Sequence, residues 1–185
     1  RILRRARSEG IDLYDIQGYV VPDPSVFKFP KGALQDWENL EDVEIVARTV
    51  ADFVMNILPL ESVDEEKGIG RTAVAPTYPV AKLKGYPEET IDLWVENVPE
   101  ALDDPGEWMM NSRTRKIYYW PESGRPGEGV FVPGLIEFIR VEGEINKKGV
   151  DVPIQNVTIE GLNFIHSDRS VWTDTDMGIQ HDWEM

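Results

Sequence analysis

Cysteine is absent from this 185-residue sequence, which excludes a disulfide framework, a thiolate metal site and a cysteine nucleophile. No apolar run reaches the ~18 residues that a membrane-spanning helix needs. Basic residues are scarce, with 19 Lys and Arg against 34 Asp and Glu, a formal net charge of −15. A field of that sign repels phosphate backbones, so nucleic acid is disfavoured as a partner. Anionic polysaccharides are disfavoured too, unless a local basic patch or a bridging cation intervenes, whereas neutral glycans meet no such penalty.

Hydrophobic residues make up 41% of the chain, enough for one sizeable core or two small ones. The first ten residues lack the apolar core of a signal peptide, and the last eight, GIQHDWEM, stop inside an apolar and aromatic pattern. We therefore expect a piece of a longer protein. The absence of cysteine is compatible with secretion, and the expected location is extracellular or periplasmic.

Short segments rich in β-branched and aromatic residues, bounded by Gly, Pro, Asp or Asn, predict an all-β fold. They are VEIVAR, TIDLWVENV, KIYYW, GVFVPGLIEFIRVEG and VTIEGLNFIHS. Residues 48–58 fit a helical period, but they fit a continued strand equally well.

A weak similarity between segments of the chain suggests an internal repeat. FIRVEG and NVTIEG place Val141 and Ile159 18 residues apart, and Ile179 follows after another 20. Periods of this size are typical of solenoids in which each coil adds a short strand to a parallel sheet. The alternative is a single antiparallel sandwich or barrel with accidental similarity.

The stretch GEWMMNSRTRKIYYWP, residues 106–121, predicts a β-hairpin whose turn carries Arg113, Arg115 and Lys116. Burial of its aromatic residues in a core is the favoured interpretation, with a solvated basic turn. Direct stacking on sugars and binding of nucleic acid are the alternatives.

Together with VPGLIEFIRVEG, VPIQNVTIEGLNFIHS and the earlier WENLEDVEIV, this hairpin resembles right-handed parallel β-helix proteins of the pectate-lyase-like superfamily, nearest to glycoside hydrolase family 141. The resemblance implies opening β-helix coils over residues 1–58. It then implies an inserted β-rich module over 59–125 that ends in the Trp108/Tyr119 hairpin, and further coils over 126–185. It also implies hydrolysis of fucosyl or xylosyl linkages in plant or microbial polysaccharides through paired carboxylates, with catalytic acids on coils later than those present here.

The C-terminal run HSDRSVWTDTDMGIQHDWEM concentrates acids, aromatic residues and both histidines after a predicted strand, as binding loops on a rigid scaffold do. If TDTD is extended, Asp174 and Asp176 face the same way about 6–7 Å apart, and Asp182 and Glu184 do likewise. That spacing overlaps the carboxylate separations of glycosidases, about 5 Å for retaining and 6.5–9.5 Å for inverting enzymes. The candidate catalytic residues are therefore Asp174, Asp176, Asp182 and Glu184.

The candidate substrate-binding residues are His166, Trp172, Gln180, His181 and Trp183. A hydrogen-bonded, partly buried His166 at the end of a coil is as plausible as a sugar contact. Solvated turn positions are the alternative for the acids. No recognised ligand spacing supports a metal site, and no cofactor is expected.

The sequence thus predicts part of a glycoside hydrolase that binds a neutral oligosaccharide or polysaccharide, without nucleic acid or membrane as partners. A non-catalytic glycan-binding or adhesion module is the alternative from another class. A polysaccharide lyase is a third possibility, but the C-terminal run has few basic residues to act as the base.

Overall fold

The computed structural model describes residues 4–11, 15–16, 21–48, 55–76, 78–83, 92–126, 128 and 130–168. These residues form two compact units. One contains the described residues up to Pro126, and the other contains those between Gly127 and Val171. In the described part of the chain, no helix is long and apolar enough to cross a bilayer.

The all-β prediction is confirmed, because the described residues form short strands and only two single-turn 3-10 helices, Leu40–Asp42 and Pro99–Ala101. The strands are β1 (Arg4–Arg5), β2 (Asp15–Ile16), β3 (Val26–Lys28), β4 (Glu44–Arg48), β5 (Met55–Asp64), β6 (Ile69–Thr72), β7 (Lys82–Leu83), β8 (Asp92–Glu96), β9 (Glu107–Asn111), β10 (Lys116–Tyr119), β11 (Glu144–Ile145) and β12 (Asp151–Val152). Residues 55–58, within the segment that fitted either period, are strand.

The main sheet has the order β3-β6-β5-β4-β8, and every neighbouring pair in it is antiparallel. The described residues therefore do not show the predicted parallel β-helix, and β4, which was expected in an opening coil, lies inside an antiparallel sheet. The connection between β5 and β6 gives the reason. It is a tight turn in which Gly68 has φ 63° and the Asp64 carboxylate accepts a hydrogen bond from the Lys67 amide at 3.0 Å. A turn this short joins only antiparallel strands.

A second sheet has the order β1-β9-β10, with β1 parallel to β9 and β9 antiparallel to β10. The N-terminal segment joins it to the main sheet, because the Ala6 amide donates to the Trp108 carbonyl at 2.8 Å and the Ala6 carbonyl accepts from the Asn97 amide at 2.8 Å. The Ser8 amide continues this pairing to the Val95 carbonyl at 2.9 Å. Strands β2 and β7 form a separate short parallel pair.

The core follows the alternation of the strands, with one residue in two pointing inward along β5, β8 and β9. Phe27 packs over Gly70, its cross-strand partner, where a side chain would collide with the ring. The buried apolar residues are Ala6, Phe27, Phe29, Leu34, Val43, Ile45, Ala47, Leu58, Leu60, Val80, Leu93, Val95, Val98, Ala101 and Met109.

Asn97, just after β8, connects three parts of the first unit. Its side chain is fully buried and its φ is 69°. Its side-chain amide forms hydrogen bonds with the backbone of Met110, as the backbone of a neighbouring strand would. Asn97 Oδ1 accepts from the Met110 amide at 2.7 Å, and Asn97 Nδ2 donates to the Met110 carbonyl at 2.7 Å. Asn39 Nδ2 donates to the Asn97 carbonyl at 2.9 Å. The hairpin is thereby fixed to the end of β8 and to the loop before the first 3-10 helix.

The predicted hairpin is confirmed, with Lys116 opposite Asn111 and Tyr119 opposite Trp108. The prediction that its aromatic residues form a core is wrong for the second strand. Strand β9 buries Met109, but Tyr118 and Trp120 are 42% and 45% exposed. In the described sheet β10 is an edge strand, with β9 as its neighbour.

The second unit carries its large apolar residues at the surface, with Phe131 72% and Ile159 47% exposed. Within it, β11 and β12 form a two-residue antiparallel ladder, closed by a turn in which Asn146 Oδ1 accepts from the Lys148 and Val150 amides. The rings of Phe138 and Phe164 lie 5.7 Å apart. The predicted division of the chain into residues 1–58, 59–125 and 126–185 stays a prediction.

We expect Asn97→Ala to lower the free energy of unfolding of the first unit by about 3 kcal/mol, because it removes two buried hydrogen bonds and leaves a Cβ residue at positive φ. Urea denaturation followed by tryptophan fluorescence measures the change. Gly32→Ala is the matched control, since Gly32 lies in the same unit with φ 86°, is exposed and has nothing within 4 Å of an added Cβ, so it carries the backbone strain without the buried amide. Equal losses for the two variants would contradict the role given to the Asn97 side chain.

Candidate functional site

A cleft of about 600 Å³ opens in the first unit, between the loop that precedes β4, strand β5 and the tip of the β9–β10 hairpin. Four acidic and four apolar residues line it, together with one tryptophan and one arginine. The lining residues are Asp36, Trp37, Glu38, Leu40, Glu41, Pro59, Leu60, Glu61, Ala73 and Arg113.

Trp37 forms one wall of the cleft. Its ring packs in part against the core, and its indole Nε1 donates to Glu100 Oε2 at 2.8 Å. The loop around it is fixed at both ends, because the Asp36 amide donates to Glu65 Oε1 at 2.9 Å and Asn39 is buried under the hairpin. The indole is therefore held in one orientation with part of its surface open to solvent.

The turn of the hairpin also lines the cleft, through Arg113. The Ser112 amide donates to Asp42 Oδ2 at 2.7 Å, and the Ser112 hydroxyl bonds to Glu41 Oε1 at 3.2 Å. These bonds tie the turn to the first 3-10 helix, so Arg113 is presented to the cleft from a fixed backbone.

A β-bulge in β5 also lines the cleft, through Glu61. The register between β5 and β6 shifts between Leu60, opposite Thr72, and Ser62, opposite Arg71, which leaves Glu61 as the extra residue. Bulges re-aim side chains and are common beside active sites. Arg71 reaches the same place, with its Nε 3.9 Å from Glu61 Oε2.

Arg71 is itself held in place by Asp23 and Ser25. It donates through Nη2 to Asp23 Oδ2 and through Nη1 to the Ser25 hydroxyl, both at 2.9 Å. The Ser25 hydroxyl in turn donates to Asp23 Oδ1 at 2.6 Å. The Ser25 hydroxyl, followed by the Arg71 guanidinium, lowers the pKa of the Asp23 carboxyl below its ordinary value. Asp23 is therefore an anion that fixes Arg71 beside Glu61.

This arrangement can bind a polar ligand that has an apolar face. An indole stacks on the C–H face of a pyranose ring, while the carboxylates of Glu41 and Glu61 accept hydrogen bonds from hydroxyls and the Arg113 guanidinium donates them. Carboxyl groups are also the acids, bases and nucleophiles of glycosidases. The described cleft thus has the side chains of a sugar-binding site.

Of the predicted site residues, only His166 lies among the described ones. It belongs to the second unit, where it is exposed with φ 58°, and its ring stacks on Phe131 at a centroid distance of 5.7 Å. The other eight lie outside the described residues, and their roles stay predictions. They are Trp172, Asp174, Asp176, Gln180, His181, Asp182, Trp183 and Glu184.

Asp103, Asp104 and Glu107 place three carboxylates within 4.8 Å of one another, a grouping that could hold a cation. Glu107 is buried, but its Oε2 already accepts from the amides of Asp103 and Asp104, each at 3.1 Å. These bonds explain the cluster as a structural support for the turn before β9.

Sequence reasoning missed the cleft residues Trp37, Glu41, Glu61 and Arg113. A tryptophan inside the acidic run DWENLED was the available signal for the first two. Glu61 carried none, because a bulge is created by the pairing register of two strands and has no local pattern.

The chain matches no family model and no curated protein. Among solved structures, a chain described as "Glycoside hydrolase" is similar to it, with a TM-score of 0.52 and 19% sequence identity. The similarity covers 77% of this chain and 27% of that one, so the present chain spans about a quarter of the length of its structural neighbour. At this identity the likeness concerns the fold alone. The chain is thus an all-β protein with a fold like that of part of a glycoside hydrolase.

We expect Ser25→Ala to raise the pKa of Asp23 towards its ordinary value, because the Ser25 hydroxyl is the largest cause of the lowering. A carboxyl whose pKa is lowered by folding stabilises the fold above its unfolded pKa. That contribution disappears as the pH falls through the folded value. A carbon-13 NMR titration of Asp23 measures the change, with Ser62→Ala as the control on the neighbouring strand. An unchanged titration in Ser25→Ala would contradict the assignment.

Proposed function

We propose that this chain is part of a carbohydrate-active protein, a glycoside hydrolase, and that the Trp37 cleft is one of its sugar-binding subsites. The observation that carries the proposal is the cleft itself, which is lined by a fixed indole, by carboxylates and by a guanidinium. The fold likeness to a chain described as a glycoside hydrolase supports the same class.

The electrostatics of the cleft favour a neutral sugar at this position. Four carboxylates, from Asp36, Glu38, Glu41 and Glu61, line it, with the Arg113 guanidinium in the lining and the Arg71 guanidinium beside Glu61. The carboxylates outnumber the cations, so an anionic sugar would be repelled there. Neutral hydroxyls, in contrast, are suitable donors to carboxylate oxygens. Fucosyl and xylosyl linkages are the substrates that the resemblance to family 141 implies, and they meet this requirement.

The catalytic step is proposed for carboxyl groups elsewhere in the protein. Asp174, Asp176, Asp182 and Glu184 remain the candidates in this chain, with His166, Trp172, Gln180, His181 and Trp183 as substrate contacts. Location outside the cytoplasm, and membership of the pectate-lyase-like superfamily, belong to the same proposal.

A parallel β-helix following the first unit is also part of the proposal. The near-20-residue spacing of similar segments supports it, as does the exposure of apolar residues at Val141 and Ile159, which a further layer of strands would cover.

Binding at the cleft is tested by calorimetry with a neutral xylo-oligosaccharide and a fucosylated oligosaccharide. We expect Trp37→Ala to weaken binding by about tenfold or more, and Trp37→Phe to retain most of it, because the phenyl ring keeps a stacking face. Arg113→Ala, at an exposed turn position, should weaken binding without affecting folding.

Trp94→Phe is the matched control, since Trp94 is a partly buried tryptophan that also donates to a glutamate, Glu96, but lies on β8. The Trp94→Phe variant should bind both glycans as the wild type does. If the Trp37→Ala variant does so too, the cleft is not a sugar subsite.

Catalysis is tested with the full-length gene product on aryl fucosides and aryl xylosides. If the C-terminal acids act, replacing the responsible Asp with Asn, or Glu184 with Gln, should lower kcat by about a hundredfold or more. Asp151→Asn, at an exposed position on β12, is the control.

Absence of turnover on any glycan by the wild type would refute the hydrolase. Oligosaccharide affinity that persists in that case, and survives the four substitutions made together, would indicate the non-catalytic glycan-binding module.

A further inference from the structure

The outer strand of the hairpin presents a fixed row of aromatic side chains. The β9–β10 ladder continues past Tyr119, because the Trp120 amide donates to the Glu107 carbonyl at 2.9 Å and the Trp120 carbonyl accepts from the Gly106 amide at 2.7 Å. Tyr118 and Trp120 are two residues apart on this strand, so they share a face at a spacing of about 6.5–7 Å. Both are more than 40% exposed although their backbone is fully paired to β9.

Positive charge is concentrated at the same end of the molecule. Arg113, Arg115 and Lys116 are all exposed, and none of them forms an ion pair with any residue that the structure describes. Their backbone is fixed by a turn in which the Arg115 amide donates to the Ser112 carbonyl at 3.1 Å and the Thr114 amide donates to Asn111 Oδ1 at 2.9 Å. In a chain of net charge −15, this group is available to an external anion.

We propose that the face formed by Lys116, Tyr118 and Trp120, with the turn residues Arg113 and Arg115, binds an oligosaccharide that carries carboxylates, that is, a glycan containing uronic acids. Tyr118 and Trp120 stack on the apolar faces of pyranose rings, and the basic residues pair with the carboxylates. We refer to these five residues as the aromatic–basic face.

Charge complementarity selects this occupant over the others. A neutral glycan would use the aromatic rings but leave three cations without partners. Nucleic acid is repelled more strongly than a polyuronate by the net charge of −15, because duplex DNA carries about one charge per 1.7 Å, and an oligonucleotide that binds as tightly as the oligogalacturonate would overturn the proposal. A second copy paired edge to edge is disfavoured by Lys116, because lysine on an edge strand opposes such pairing.

The aromatic–basic face extends the proposed function, on which it rests, by naming a class of polymer. Arg113 belongs both to this face and to the lining of the Trp37 cleft. An acidic main chain held by the face would therefore lie beside a cleft that favours neutral sugars. The polymer that fits both is an acidic backbone carrying neutral side branches.

Calorimetry with an oligogalacturonate and with the same oligosaccharide after reduction of its carboxyl groups to alcohols tests the proposal on the whole chain. We expect the oligogalacturonate to bind at least about tenfold more tightly than the reduced form. Its affinity should fall as NaCl rises from about 50 mM to about 500 mM, because exposed charge pairs are screened by salt. Trp120→Ala and the double variant Arg115→Ala/Lys116→Ala should each weaken binding by about tenfold, whereas Trp120→Phe should retain most of it.

Phe131→Ala and Lys67→Ala are the matched controls, an exposed aromatic residue and an exposed lysine that lie outside the face. Equal affinity for the two oligosaccharides, or binding unaffected by Trp120→Ala, would overturn the proposal. So would concentration-dependent dimerisation in sedimentation that Ile117→Lys abolishes, because β10 would then pair with a second copy. If the oligogalacturonate does not bind but neutral glycans still bind in a Trp37-dependent manner, the proposed function stands and the aromatic–basic face is refuted. If the oligogalacturonate binds but neutral glycans do not, only the Trp37 cleft is refuted as a sugar subsite.

Discussion

The side-chain amide of Asn97 takes the place of a backbone partner between the end of β8 and the hairpin. Its two bonds to Met110, both 2.7 Å, reproduce the donor and acceptor of a strand residue, while its own backbone amide bonds to Ala6 and its carbonyl to Asn39. Buried backbone groups require partners, and among the described residues no strand lies at this junction to supply them for Met110. Asparagine suits the position because it carries a donor and an acceptor and tolerates positive φ better than most residues.

Both candidate binding surfaces depend on that junction. Once Met110 is fixed, the hairpin turn reaches the first 3-10 helix through Ser112, and the turn sets Arg113 beside Trp37. The same hairpin holds Tyr118 and Trp120 on its outer strand with their backbone paired to β9. A sugar site built on paired strands is held more rigidly than one built on a free loop, which reduces the entropy lost on binding.

The strand content and the hairpin could be predicted from sequence because both are local properties. Alternating apolar residues and the turn NSRTRK indicate them without knowledge of the rest of the chain. The antiparallel order around β4 could not be predicted, since VEIVAR pairs equally well in a parallel coil or an antiparallel sheet. Exposure of Tyr118 and Trp120 could not be predicted either, because it depends on what packs against the faces of β10, which a local pattern does not contain.

The candidate site shows the same division. The acidic run around Trp37 was visible in the sequence, but its meeting with Glu61 and Arg113 required the bulge in β5 and the Asn97 junction. The C-terminal acids were chosen by composition alone, and an acidic chain yields such groupings readily. The residue types indicated which functional groups were available. The long-range pairing of strands decided which of these groups lie close together.

Binding of a neutral sugar in the Trp37 cleft can be observed in indole proton–nitrogen NMR spectra. The Nε1–H of Trp37 donates to Glu100 and that of Trp94 donates to Glu96, so two similar groups report on two places in one unit. Titration with a neutral oligosaccharide should shift the Trp37 signal in a saturable manner and leave the Trp94 signal unchanged. An unshifted Trp37 signal at saturating oligosaccharide would contradict the account.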